Sequence, residues 1–146
     1  MLQKGVDMDY RIGALLKRID TALGRQANAQ LASVGLTLTQ VSVLGLLADA
    51  PNEGLAQKQI EQELDVSHPT TTGLVKRLGE KGLVAVYESP DDARMKIVRL
   101  TAKGREAARE GETHRAKAER ALTEGFTDNE LAQLKSYLSR IIDNLG

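Results

Sequence analysis

The chain has 146 residues, 41% of them hydrophobic, with twenty cationic and twenty acidic side chains and no cysteine. That length suits one domain or two small interlocked lobes with a buried core, and the lack of cysteine excludes disulfides, thiolate zinc sites and thiol-based redox sensing. No run of about 18 apolar residues occurs, and Met1 to Tyr10 holds Lys4, Asp7 and Asp9 without an apolar signal core, so a cytoplasmic protein with no membrane partner is expected.

From Asp9 to Leu31, the residues Ile12, Leu15, Leu16, Ile19 and Leu23 recur at spacings of three and four, the pattern of an amphipathic helix. Gly35 ends it. Thr37 and Gln40 then form a capping box, in which the hydroxyl accepts from a first-turn N–H and the amide reaches back to the cap. A second helix follows to about Ala50. Val41, Val43, Leu44, Leu46 and Leu47 make it apolar on most sides, so it should be buried until Pro51, Asn52, Glu53 and Gly54 break it.

A third helix is expected over roughly Ala56 to Leu64, short and mostly solvated, with Ile60 and Leu64 on its apolar face. After Asp65 and Val66 a fourth begins, capped by Ser67, with Pro69 in its first turn and Gly82 terminating it after Lys81. Two short helices with a tight join make a helix-turn-helix. At about 100° per residue, Thr71, Leu74, Val75 and Leu78 share one face of the fourth helix. The opposite face carries Pro69, Thr72, Gly73, Lys76 and Glu80, flanked by Thr70 and Arg77. Threonines weaken a helix, and a surface glycine costs about 1 kcal/mol against alanine, so propensity does not account for this face. Recognition of a DNA duplex does. Threonine offers a hydroxyl to phosphates or base edges and a methyl to thymine, while glycine lets the backbone come close. An ordinary threonine-rich first turn is the plain alternative.

Leu83 to Tyr87 and Lys96 to Leu100 are β-branched-rich runs around the turn residues Ser89, Pro90, Asp91 and Asp92, and should pair as a hairpin. At its tip Asp92 stands two residues from Arg94, close enough for the carboxylate to fix the direction of the guanidinium. An oriented arginine suits a narrow, negative minor groove. Taken alone, a surface ion pair worth under about 1 kcal/mol is the simpler reading. The charge distribution adds weight to the first: Ser67 to Arg105 holds eight cations and four acids, and the rest holds twelve and sixteen, so a +4 segment sits on a −4 body.

Thr101 opens a long polar helix to about Glu124, interrupted by Gly104 and Gly111, whose alanines suit close helix contact or a solvated linker. Thr127 and Glu130 then form a second capping box, and Leu131, Leu134, Leu138, Ile141 and Leu145 follow at alternating steps of three and four. This seam and the first helix's stripe (Ile12, Leu15, Ile19) need a covering surface, which points to a homodimer. The alternative is that the two terminal helices cover each other within one chain. The expected fold is mainly α with a small β-hairpin wing: a winged helix-turn-helix lobe over 36–101, and a helical dimerisation region over 1–35 and 102–146.

Three stretches resemble the MarR family of bacterial winged-helix regulators: LTLTQVSVLGLL from Leu36 to Leu47, DVSHPTTTGLVKRLGEKGLV from Asp65 to Val84, and SPDDARMKIVRLTAKG from Ser89 to Gly104. The D-x-R wing followed by a V-x-L-T-x-x-G end is a family hallmark, and the resemblance covers nearly the whole chain. It implies a triangular homodimer whose interlocked terminal helices hold two winged lobes, each reading one half of a near-palindromic operator in double-stranded DNA. It also implies repression of transcription, often of the regulator's own gene and its neighbours, relieved by a small, commonly anionic aromatic ligand bound between the dimer helices and the DNA lobe. By position, the implied DNA-binding residues are Ser67, His68, Thr70, Thr71, Thr72, Lys76, Arg77, Asp92, Arg94 and Lys96. Tyr10, Arg11 and His114 lie on helices that border the family's ligand pocket. The family's redox branch uses an N-terminal cysteine that this chain lacks, and with only two histidines no metal or other cofactor is expected. No nucleophile–base–acid set or phosphate loop suggests an enzyme. A winged-helix protein-interaction module, or an activator without ligand response, is the competing reading.

Overall fold

A computed structural model of the chain describes residues 11–146. Among these, α1 (Ile12–Leu31) runs into a 3-10 turn at Ala32–Val34, followed by α2 (Leu38–Asp49), β1 (Leu55–Ala56), α3 (Gln57–Leu64), α4 (His68–Glu80), β2 (Val84–Glu88), β3 (Lys96–Leu100), α5 (Ala102–Leu122) and α6 (Asp128–Leu145). The protein is mainly α with a small antiparallel sheet in the order β1-β3-β2. The expected start of the first helix at Asp9, and Tyr10, lie outside the described residues. No single helix among the described residues is long and apolar enough to cross a membrane.

Side-chain caps set where the helices begin. Thr37 Oγ1 accepts from the Gln40 N–H at 3.2 Å, and Gln40 Oε1 accepts from the Thr37 N–H at 3.1 Å. Asn28 of α1 adds a further tie, its Oδ1 accepting from the Leu38 N–H at 2.7 Å, which joins α1 to the first turn of α2. Thr127 and Glu130 close the same box on α6 at 3.1 and 2.9 Å. Each such cap stabilises its helix by about 1 kcal/mol. Leu31, Val41, Val43, Leu44, Ile60, Leu78 and Val98 are fully buried and join α1, α2, α3, α4 and β3 in one core.

Three features depart from the sequence reading. Leu55 pairs with Val98 and Ala56 with Ile97, so the wing is a three-stranded sheet rather than a hairpin. A strand of two residues has no alternation to read, and it moves the start of α3 from Ala56 to Gln57. The second is the wing's first long strand, which begins at Val84 rather than Leu83. Leu83 instead closes α4: its N–H donates to the Leu78 carbonyl at 2.9 Å across Gly82, which takes the left-handed conformation at φ 74°. The third concerns Gly104 and Gly111, which do not interrupt the long helix. α5 is continuous and both glycines are buried in it. A Cβ on Gly104 would overlap the Leu83 carbonyl oxygen, and one on Gly111 would lie 2.9 Å from both Val41 methyls. These glycines weaken α5 by about 1 kcal/mol each and in exchange let it lie against α2 and the winged lobe.

The terminal stripes remain uncovered within one chain. No residue of α6 is buried; Leu131 and Ile141 are half-buried, and Leu134, Leu138 and Leu145 are exposed, Leu145 to 84%. On α1, Ile12 and Ile19 are exposed and Leu15 is half-buried, whereas Ala27 and Leu31 near its end pack into the core. Mutual coverage of the two terminal helices inside a single chain is therefore not what the fold adopts.

Candidate nucleic-acid interface

The turn joining α3 to α4 consists of Asp65, Val66 and Ser67. Asp65 takes the left-handed region (φ 51°), which aspartate tolerates better than most side chains, and the Val66 N–H donates to the Glu61 carbonyl at 3.1 Å. Ser67 caps α4, its Oγ accepting from the Thr70 N–H at 3.3 Å and donating to Thr70 Oγ1 at 2.9 Å. α4 buries Thr71, Leu74, Val75 and Leu78. Pro69, Thr70, Thr72, Lys76, Arg77 and Glu80 stay exposed on the other side, with Gly73 half-buried between them.

Thr71 is a correction. It is fully buried, and its Oγ1 donates to the Ser67 carbonyl at 3.0 Å. A hydroxyl that is both enclosed and satisfied has nothing to offer a duplex, so Thr71 belongs to the core and not to the DNA-facing set.

Two contacts from α3 hold the exposed face of α4. Gln57 Nε2 donates to Thr72 Oγ1 at 2.8 Å, and His68 Nδ1 meets Glu61 Oε1 at 2.5 Å. Gln57 and Glu61 are one turn apart on α3, and His68 and Thr72 one turn apart on α4, so the contacts stack like two rungs. With the Gln57 amide donating to it, the Thr72 hydroxyl keeps its own hydrogen for an outward acceptor. Arg77 folds back over Gly73, where a Cβ would lie 3.3 Å from its Nη2. The pattern of a short, mostly solvated helix gives no cue to Gln57 or Glu61, because pairs between separate helices leave no periodic signal.

The wing tip places Arg94 as its spacing suggested. Asp92 Oδ1 accepts from the Arg94 N–H at 3.0 Å and from Nε at 3.1 Å, and Oδ2 accepts from Nη2 at 3.4 Å. The Arg94 side chain is nonetheless 91% exposed. These side-chain and backbone bonds to Arg94 hold the Asp92 carboxyl below its ordinary pKa, so the clamp is intact at neutral pH and is lost only as pH falls through that lowered value. Lys96 lies opposite Glu88 in the ladder and donates to its Oε1 at 3.5 Å. Between α3, the start of α4 and the wing is a cleft of about 470 Å³, lined among others by Lys58, Glu61, His68, Arg94 and Lys96.

The two pocket candidates within the described residues are not brought together. His114 lines a cleft of about 210 Å³ between α1, α2 and α5, with Leu23, Ala27, Leu31, Ser42, Arg115 and Glu119 among its walls. Arg11 is exposed at the opposite end of α1, twelve residues or about 18 Å along the axis from Leu23. Among the described residues no group of three or more His, Cys, Asp or Glu side chains could hold a metal ion.

Residues 34–95 match the model of the MarR family. The HTH-type transcriptional repressor Rv2887 of Mycobacterium tuberculosis is 26% identical over 137 residues, spanning 94% of this chain and 97% of that protein. The uncharacterized HTH-type transcriptional regulator YwoH of Bacillus subtilis is 34% identical over 108 residues, spanning 74% and 77%. The solved structure of the transcriptional repressor CouR bound to a 23-mer DNA duplex is similar with a TM-score of 0.85 at 31% identity, covering 95% of this chain and 97% of that one. CouR from Rhodococcus jostii RHA1 bound to p-coumaroyl-CoA is similar with a TM-score of 0.80 at 27% identity, covering 91% and 92%. These relatives are named as regulators, not as enzymes. With a family match running from the second helix's approach to the wing, a relative at 34% identity and a fold shared over almost the full length, the chain belongs to the MarR family of DNA-binding transcriptional regulators.

Proposed function

We propose that the protein is a homodimeric repressor of a near-palindromic operator, released by a small anionic aromatic ligand, and that it is not an enzyme. In this reading each copy sets α4 in a major groove and the wing tip in the adjoining minor groove. The observation that carries it is the clamped Arg94: a guanidinium held by two bonds to Asp92, with a third from the Arg94 backbone N–H, yet almost wholly exposed. A side chain already fixed in direction has less rotamer entropy to lose on binding, and a planar cation suits the negative minor groove. His68, Thr70, Thr72, Lys76, Arg77 and Lys96 then face phosphates or base edges, while Ser67 acts by capping α4.

The uncovered stripes of α1 and α6 support the dimer, with 1–35 and 102–146 pairing two copies and 36–101 reading DNA. The His114 cleft supports the ligand: its lining joins Leu23, Ala27, Leu31, Leu38 and Ala118 to His114, Arg115 and Glu119, apolar walls with a few polar groups that suit a small aromatic molecule, with His114 and Arg115 the groups that would take its carboxylate. It lies between the helices that would set the spacing of the two lobes, so an occupant there alters half-site spacing. CouR's complex with p-coumaroyl-CoA supports a small-molecule effector in the same family. Footprinting on the DNA upstream of the chain's own coding sequence tests the proposal. Two protected half-sites about one helical turn apart are expected; uniform or absent protection overturns it.

A further inference from the structure

We propose that the cleft between α3, the first turn of α4 and the wing seats one DNA backbone phosphate, with His68 bridging Glu61 and that phosphate as an imidazolium, so that operator binding takes up a proton. The proposal rests on the DNA-binding reading above and assigns a role to Glu61 that neither the family match nor the motif supplies.

The geometry starts from the 2.5 Å contact between His68 Nδ1 and Glu61 Oε1. An ionised carboxylate only accepts, so Nδ1 carries a hydrogen and donates it. A neutral ring would then present Nε2 as a bare acceptor. A phosphate oxygen is an acceptor too, so the neutral ring and the phosphate repel. The imidazolium donates from both nitrogens and satisfies both partners at once. Glu61 is well enclosed, its side chain 17% exposed, whereas the His68 side chain is 72% exposed. The carboxylate is thus the fixed end of the bridge, and the ring reaches out from it.

The surrounding charges make protonation and DNA binding favour one another. The cleft that His68 lines also holds Lys58 and Glu61 of α3 and Arg94 and Lys96 of the wing, the latter two paired with Asp92 and Glu88. The first two turns of α4 carry no charge besides His68 itself, and Asp65 is the acid in the preceding turn. Lys58, Arg94 and Lys96 attract a phosphate into the cleft, the last two while already paired in this way. The arriving phosphate supplies an acceptor for the second ring N–H and so favours the charged form. Imidazole is the side chain whose ordinary titration falls between pH 5 and 8, and the chain has only His68 and His114, so a proton taken up in this range is readily assigned.

The test is operator binding by the full chain, followed by fluorescence anisotropy at constant salt from pH 6 to 8.5, with calorimetry in buffers of different ionisation enthalpy to count protons. Affinity should rise as pH falls, by up to about tenfold per pH unit for each half-site that takes up one proton. His68→Gln keeps a donor end for only one of the two acceptors and cannot titrate, and should bind more weakly, with a flat profile and no proton uptake. Glu61→Gln keeps an acceptor for Nδ1 without its charge, and should displace the profile toward lower pH. Specific binding by the wild type with no proton uptake, or uptake that persists in His68→Gln, overturns the proposal and leaves the DNA-binding reading standing. Absence of specific binding at any pH overturns both.

Discussion

Gly73→Ala separates folding from recognition, because the two should move in opposite directions. Gly73 lies inside α4, on the face away from the core. A Cβ there meets only the Arg77 guanidinium, with Nη2 at 3.3 Å and Cζ and Nη1 at 3.8 Å. That group is the far end of a flexible, exposed side chain, so it can move aside at small cost. Replacing a helix-interior glycine by alanine is worth about 0.5–1 kcal/mol, which in a chain of this size raises Tm by about 1–4 °C. On the surface proposed to face DNA, the same methyl should hold the backbone off the duplex and displace Arg77. The loss of one close contact costs about 1–3 kcal/mol, or roughly fivefold to a hundredfold in operator affinity. Thermal melting and anisotropy on one preparation read both quantities. A lower Tm would refute the packing argument, and a higher Tm with unchanged affinity would refute a recognition role for the glycine.

Gly104→Ala should act the other way: its Cβ meets the Leu83 backbone carbonyl, which cannot rotate aside, so a loss of about 1–3 kcal/mol and a lower Tm are expected, and an unchanged Tm would show that α5 can slide. Leu138→Asp introduces a charge into the α6 stripe, and sedimentation velocity should find monomer or unfolded chain; an intact folded dimer would place the seam elsewhere. Arg94→Ala should weaken binding most on operators with A·T-rich flanks, where the minor groove is narrow, and equal losses on G·C-rich flanks would contradict minor-groove entry. If Lys76 mainly touches phosphate, Lys76→Ala should lower the slope of log affinity against log salt by about one unit with little change in sequence preference; a changed preference would indicate a base contact.

What could be read from the sequence was local or periodic. The capping boxes at Thr37 and Thr127, the buried face of α4 and the Asp92–Arg94 clamp each depend on residues within four positions of one another or on one helix's own repeat. What escaped depends on neighbours far along the chain. β1 exists only because Leu55 and Ala56 find β3, and Gly104 and Gly111 look like helix breakers until Leu83 and Val41 are seen against them. The Gln57–Thr72 and Glu61–His68 contacts join two helices with no shared period. Thr71 shows the opposite failure: the helical wheel put it with Leu74 and Leu78, but its place in the recognition motif drew it into the DNA-facing set, and burial decides for the wheel.

The central claim is that α4 and the clamped wing read a particular DNA sequence. Its most direct test is competition anisotropy with the chain's own upstream duplex against a random duplex at one fixed salt concentration. The account predicts a preference of about a thousandfold or more for the upstream site, reduced by Arg94→Ala. Equal affinity for both duplexes, unaffected by that substitution, would contradict it.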